Sequence, residues 1–175
     1  MNNDDHSTHA QHLVQQMCSA VPTGTNTDPQ LRAWLGLTES MTAAVAHHCR
    51  GQATVTLLQE GVGQAQHWER QRLNCADDVF VRHICLSVHG VPRLAARSLT
   101  ANNSSVVGLM QGLGEQPLAQ LLFSDPLWRR AADVEPLRSA GGLPGRGVLW
   151  CHHNHAQGLL VEEFFLPALL QPTTN

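Results

Sequence analysis

The chain contains neither lysine nor tyrosine. Without lysine no Schiff base can form on it, and without tyrosine no phenol can carry a proton. Its 11 cationic side chains are all arginine, set against 14 acidic ones for a net charge of −3. No basic block gathers among them to follow a phosphate backbone, so nucleic acid is not an expected partner. The five cysteines (Cys18, Cys49, Cys75, Cys85 and Cys151) are scattered, odd in number and free of any CxxC pair. That argues against a disulfide framework or a cysteine-rich zinc site, and for reduced thiols in the cytoplasm. The longest apolar runs, such as Gly158–Val161 and Phe164–Leu170, are too short for a membrane span. The opening MNNDDHSTHAQH has no apolar core of a signal peptide. GxSxG, Walker and dinucleotide motifs are missing as well.

What remains is a chain of 175 residues, 42% hydrophobic and 14% charged. That composition suits one globular enzyme or ligand-binding domain with a sizeable core. Residues 1–24 read as a polar, flexible N-terminus, with His6, His9 and His12 in an HxxHxxH run that is expected to be solvated. Asp28 and Pro29 start a helix carrying Leu31, Trp34 and Leu35. Ser40 or Thr38 starts a second, with Met41, Ala44, Val45 and His48 on one face. Ala53–Val62 is β-rich, and Gln64–Asp78 reads as a connecting loop with at most a helical turn. His89-Gly90-Val91-Pro92 is a hairpin turn into Arg93–Thr100. Short helices follow over Ser104–Leu113 and from Pro117, with Arg129–Arg130 read as a solvated pair. Ala140–Gly147 is read as flexible, and Val148–His153 and Leu159–Pro167 close the chain as strands. Five strand-like segments, several joined as hairpins, predict an α+β single domain with an antiparallel β-sheet.

One segment organises this expectation. In Val79–Gly90, alternation places Phe80, Arg82, Ile84, Leu86 and Val88 on one face. Arg82 is therefore a permanent charge on an apolar, core-facing surface, and it needs an anion. That anion is either an internal Asp or Glu or a group arriving with a substrate. Glu162 and Glu163, inside the apolar LLVEEFFLP, face opposite sides of their strand. At least one is enclosed, where its pKa rises unless a cation offsets desolvation, so it is placed for proton traffic. Either glutamate is also a candidate internal partner for Arg82. Cys151, His152, His153 and His155 make a zinc site geometrically conceivable, but they cluster at a hairpin tip without a ligand from elsewhere.

With these segments placed, the chain resembles the chorismate lyase family from about Pro29 to Leu169. The resemblance rests on WLGLTESMT (Trp34–Thr42), VTLLQEG, VFVRHICL, ARSLT (Ala96–Thr100), GLGEQPLAQLLF (Gly112–Phe123) and EEFFLP (Glu162–Pro167), in that order. It implies a domain over residues 25–175, with flap-like segments over a buried ligand pocket. It further implies a cytoplasmic, monomeric lyase that needs no cofactor or metal. That lyase converts chorismate to 4-hydroxybenzoate and pyruvate for ubiquinone biosynthesis. By the same resemblance Arg82 holds the ring carboxylate, Glu163 meets the ring hydroxyl and takes a catalytic part, and Met41 and Leu118 line the pocket. The chain departs from the family pattern at Gln59, at Ala119 and over Leu143–Gly147, where only Arg146 remains of an arginine-rich run. Related folds also serve as effector-sensing domains. A non-catalytic module that binds an aromatic carboxylate is therefore the second reading, which the lack of a DNA-binding helix-turn-helix segment disfavours.

Overall fold

A computed structural model of the chain describes residues 3–25, 28–76 and 78–171. Among them the order is α1 (Asn3–Met17), β1 (Val21–Pro22), α2 (Pro29–Leu35), α3 (Met41–His48), β2 (Ala53–Gly63), α4 (His67–Leu73), β3 (Val79–Val88) and β4 (Val91–Ala101). Then come α5 (Val106–Gln111), α6 (Leu118–Ser124), β5 (Trp128–Arg130), β6 (Glu135–Arg138), β7 (Pro144–His152), β8 (Leu159–Phe165) and α7 (Pro167–Leu170). The strands form one antiparallel sheet ordered β1-β6-β7-β8-β4-β3-β2, with β5 added to β7. This is the expected α+β architecture. The strands missing from the expectation are β1, β5 and β6, of two to four residues, too short for alternation to register.

Local chemistry explains the elements around the future site. Asp28 accepts from the Gln30 N–H at 2.9 Å to cap α2, and Ser40 accepts from the Ala43 N–H at 3.3 Å to cap α3. β3 and β4 are joined by a two-residue turn in which His89 and Gly90 have φ of 53° and 72°. That left-handed pair matches the twist of the hairpin strands. The segment Gln64–Asp78, read as a loop, contains α4. Its start is fixed by Glu69, whose carboxylate accepts from the Gln66 N–H at 2.6 Å.

Two further readings are corrected. Residues 1–24 include α1, and Leu13, Met17 and Ala20 are buried against Ala95, Leu137 and Phe164. His6 and His9 lie outside the residues whose side chains are described, while His12 pairs with Gln16. The Ala140–Gly147 stretch is not a loose connector throughout, because β7 begins at Pro144. A Cβ on Gly145 would stand 2.4 Å from the Glu163 carbonyl oxygen. Glycine is what lets β7 approach β8 so closely.

The sheet has two differently used faces. On one, α1 and α4 cover Val81, Ala95, Leu99, Leu160 and Phe164. On the other, α2, α3 and α7 pack on Leu86, Leu94 and Phe165, while α5 and α6 pack on Phe80, Val148 and Val161. The first face holds a sealed charge cluster. Arg97, 1% exposed, donates to Glu69 on α4 and to the Gln64 carbonyl at 2.9 Å. Glu162 is its cross-strand neighbour, 3.6 Å from Nη1. Neither oxygen of Glu162 has a hydrogen-bond partner, and burial drives its carboxyl well above the usual range despite Arg97. The closer Glu69 is the carboxylate that balances Arg97.

His83 lies beside Arg97 in the same cross-strand row. Burial, reinforced by the Arg97 charge, lowers its pKa from 6.5 to about 4. The imidazole is thus neutral in the fold. Its contribution to stability is complete above pH 6.5 and is lost as pH falls toward 4, where the unfolded chain alone takes up the proton. The interval from 6.5 to about 4 is worth about 3 kcal/mol. Urea denaturation of wild type and His83→Gln between pH 7 and 4 is expected to show the larger acid-side loss in the wild type, and parallel curves would refute this assignment.

Candidate functional site

The opposite face carries the cavity. Alternation aligns Arg82, Ile84 and Leu86 on β3, Ala96 and Ser98 on β4, and Val161 and Glu163 on β8. Arg146, Val148 and Trp150 continue that surface on β7. Glu39 and Met41, around the start of α3, and Pro117 and Leu118, around the start of α6, stand over it. These walls enclose a cleft that is partly open to solvent. Met41, Arg82, Leu118 and Glu163 all line this one cavity.

Arg82 is 1% exposed, and neither Glu162 nor Glu163 is its partner. Its Nη2 donates to the main-chain carbonyls of Gly114 at 2.7 Å and Gln116 at 3.0 Å, in the segment leading into α6. Its Nε is 3.9 Å from Glu60 of β2, its cross-strand neighbour, and has no hydrogen-bond partner. Burial lowers the Arg82 pKa, and Glu60 partly offsets that, but a guanidinium stays charged. Arg82 is therefore a buried cation whose compensation by the protein is partial.

Glu163 is bound differently. Arg146 lies directly across from it on β7 and donates Nε to its Oε2 at 2.7 Å. Arg146 Nη1 donates onward to the carbonyls of Trp34 at 3.1 Å, Leu35 at 3.3 Å and Leu37 at 2.7 Å. These carbonyls lie at the end of α2 and just beyond it. One arginine thus ties the carboxylate of β8 to the segment that precedes Met41. Glu163 retains 12% side-chain exposure, toward the cavity, and as a carboxylate it can accept from a hydroxyl.

Arg130, read as half of a solvated pair, also lines the cavity. Its guanidinium carbon sits 5.4 Å over the Trp150 ring, and Nη2 donates to the Leu37 carbonyl at 2.8 Å. Arg146 and Arg130 are the residues that reading the sequence missed. The signal for Arg146 was the alternation Arg146–Val148–Trp150, hidden by the flanking glycines. Arg130 gave no periodic signal, since β5 has three residues.

The Cys151–His155 segment does not converge on a common centre. His152 Nε2 meets Asp125 at 2.9 Å while its Nδ1 accepts from the Asn154 N–H at 3.1 Å, and His155 pairs with Ser105 at 2.6 Å. Among the described residues no group of three His, Cys, Asp or Glu side chains could hold a metal ion. Among the same residues no helix is long and apolar enough to cross a membrane.

One antiparallel sheet thus presents Arg82, Arg146 and Glu163 to a largely apolar cavity, with Glu39 and Arg130 also in its lining. The family model described as chorismate lyase matches residues 19–173. A probable chorismate pyruvate-lyase of Azoarcus sp. (strain BH72) is 33% identical over 163 residues, covering 81% of this chain and 86% of the relative. One of Dechloromonas aromatica (strain RCB) is 33% identical over 162 residues, covering 83% and 92%. Among solved structures, the ligand-binding domain of a putative GntR-family transcriptional regulator from Bordetella bronchiseptica is 13% identical with a TM-score of 0.47. It covers 66% of this chain and 86% of that one, a likeness too loose to carry an argument. The chain belongs to the chorismate lyase family, and its class is that of a lyase acting on a small molecule.

The different compensation of the three buried arginines predicts an order of stabilities. Arg97→Met and Arg146→Met each strand a buried carboxylate and are expected to cost about 3–5 kcal/mol. Arg82→Met frees two carbonyls of an exposed segment and only a distant carboxylate, so it is expected to cost about half as much or less. Guanidinium denaturation of the three variants measures the order, and an Arg82 cost equal to the others would mean its role is chiefly structural.

Proposed function

We propose that the protein is a chorismate pyruvate-lyase, which eliminates pyruvate from chorismate and releases 4-hydroxybenzoate, a ubiquinone precursor, in the cytoplasm. The observation that supports this most is the placement of Arg82 and Glu163 in one cavity, on strands that flank β4. Their backbones stand two strand spacings apart and two residues out of register, roughly 12 Å. A ring bearing a carboxylate at one end and a hydroxyl at the other fits between the two side chains.

In this reading the ring carboxylate takes the Nε and Nη2 edge of Arg82, where Nε has no hydrogen-bond partner and Nη2 exchanges its two carbonyls for the carboxylate. The C4 hydroxyl donates to Glu163, whose position Arg146 holds. Met41 and Leu118 cover the ring as parts of two flaps that must open for entry and exit. The reaction breaks the C3–O ether bond and removes the hydrogen on C4. The ring becomes aromatic, and the enolpyruvyl fragment gains a proton at its methylene carbon to leave as pyruvate. Aromatisation drives the step, so the site's task is to hold the reactive conformer and exclude water. Glu163 is placed beside C4 and its hydroxyl, and contributes orientation and a local negative charge as C4 gives up its hydrogen.

The direct test mixes purified protein with chorismate and follows pyruvate and 4-hydroxybenzoate. Equal yields over many turnovers are expected, whereas stoichiometric binding without turnover would favour the non-catalytic module. Arg82→Ala is expected to lower kcat/KM by at least about 100-fold, the loss of a desolvated charge-assisted pair. Its circular dichroism should stay native.

Both polar ends of the product are held away from water, so its release is expected to limit turnover. Rapid mixing should show a burst of 4-hydroxybenzoate near one equivalent per site, shrinking in Glu163→Gln. A linear progress curve in active wild type would place the slow step in the chemistry.

A further inference from the structure

Chorismate has three polar handles, and the reading above uses two of them, the ring carboxylate and the C4 hydroxyl. The third is the carboxylate of the enolpyruvyl group. Its ether oxygen is on C3, next to the hydroxyl-bearing carbon. With C4 at Glu163, this second carboxylate must fall near the Glu163 end of the cavity and to one side of it. What cation lies there is a question the charges of the cavity answer.

Two guanidiniums converge at that end. Arg146 and Arg130 both donate to the single carbonyl of Leu37, at 2.7 and 2.8 Å. The one carboxylate beside them, Glu163, is taken by Arg146 Nε. Arg146 spends its Nη1 on three carbonyls as well. Arg130 forms no ion pair among the described residues. Its Nε is buried and has no hydrogen-bond partner. The guanidinium rests on the Trp150 face, and Phe123 stands edge-on to that ring at 5.5 Å. A cation seated on an aromatic ring, crowded by a like charge and left with an orphaned donor, is set up for an anion from outside.

The geometry points to Arg130 as the anchor of the enolpyruvyl carboxylate. This assignment rests on the proposed lyase function and deepens it. It gives the cavity one cation for each carboxylate of the substrate, while Arg146 serves as the positioning residue of Glu163. The aromatic product lacks the enolpyruvyl group, so Arg130 distinguishes substrate from product. Substrate is gripped at three points and 4-hydroxybenzoate at two.

The test measures two ligands on each variant. Arg130→Gln and Arg130→Lys are compared with wild type in steady-state turnover of chorismate and in calorimetric binding of 4-hydroxybenzoate. Arg130→Gln is expected to raise KM for chorismate by about tenfold or more, the weight of one charge-assisted contact. The Kd of 4-hydroxybenzoate should stay within about twofold, since product binding does not use this contact. kcat should change less than KM. Arg130→Lys keeps the charge and is expected to recover part of the loss. Unaltered product binding certifies a formed cavity, and if Arg130→Gln does not fold, the same split between the two ligands must be seen in Arg130→Lys. Equal weakening of both ligands would reduce Arg130 to a brace for the Leu37 segment and overturn the assignment, as would an unchanged KM. Wild-type protein that neither turns over chorismate nor binds 4-hydroxybenzoate would overturn the lyase reading itself, an outcome distinct from an active enzyme with an indifferent Arg130.

Discussion

Two adjacent carboxylates in the middle of a sheet set the terms for the rest of this structure. Glu162 and Glu163 are consecutive in β8, and the pleat sends them to opposite faces. Each meets an arginine from a neighbouring strand, Arg97 of β4 on one side and Arg146 of β7 on the other. β8 therefore sets a carboxyl beside an arginine on each face, as a hydrogen-bonded ion pair at Glu163 and as a carboxyl driven toward its neutral form at Glu162. A slip by one residue would exchange the two glutamates and misplace both. Gly145, where β7 runs close against the Glu163 backbone, belongs to the same arrangement.

The two faces put similar residues to different uses. Around Arg97 the charges are closed off by α4, with Glu69 satisfying the guanidinium and Glu162 driven toward its neutral form. Nothing from outside is needed there. Around Arg82 and Arg130 the guanidiniums touch mostly carbonyls and an aromatic ring, and neither donates a hydrogen bond to a carboxylate. Burial is almost the same for Arg82 and Arg97, at 1% exposure. Contact with a carboxylate, and not burial, distinguishes Arg97 from Arg82.

Much of this was legible in the sequence because the informative signals were periodic. Alternation in Val79–Val88 exposed Arg82 as misplaced among apolar residues, and alternation in β8 separated Glu162 from Glu163. The two-residue hairpin at His89–Gly90 and the caps at Asp28 and Ser40 followed from turn and capping chemistry. What stayed hidden was of two kinds. Short elements such as β5, with three residues, offer too few positions for a period, so Arg130 read as a surface charge. The start of β7 was masked by Pro144, Gly145 and Gly147, residues that signal a loop by composition and here serve a close strand approach. Pairing across strands, such as Arg146 with Glu163 or Glu60 with Arg82, joins positions far apart in the chain, and a single sequence carries no record of it.

The hydrogen bonds from Arg82 to Gly114 and Gln116 have a consequence of their own. The chain supplies a surrogate for part of what an anion would offer, delivered by the segment that leads into α6. An anion reaching Nη2 would have to displace these carbonyls, so on the proposed reading the segment's hold on Arg82 subtracts from the affinity. Sequence changes at 112–117, remote from any reacting atom, can therefore tighten or loosen binding without altering a single contact to the ligand. On that reading the stretch opposes the ligand from within the chain, through backbone that takes no part in the chemistry.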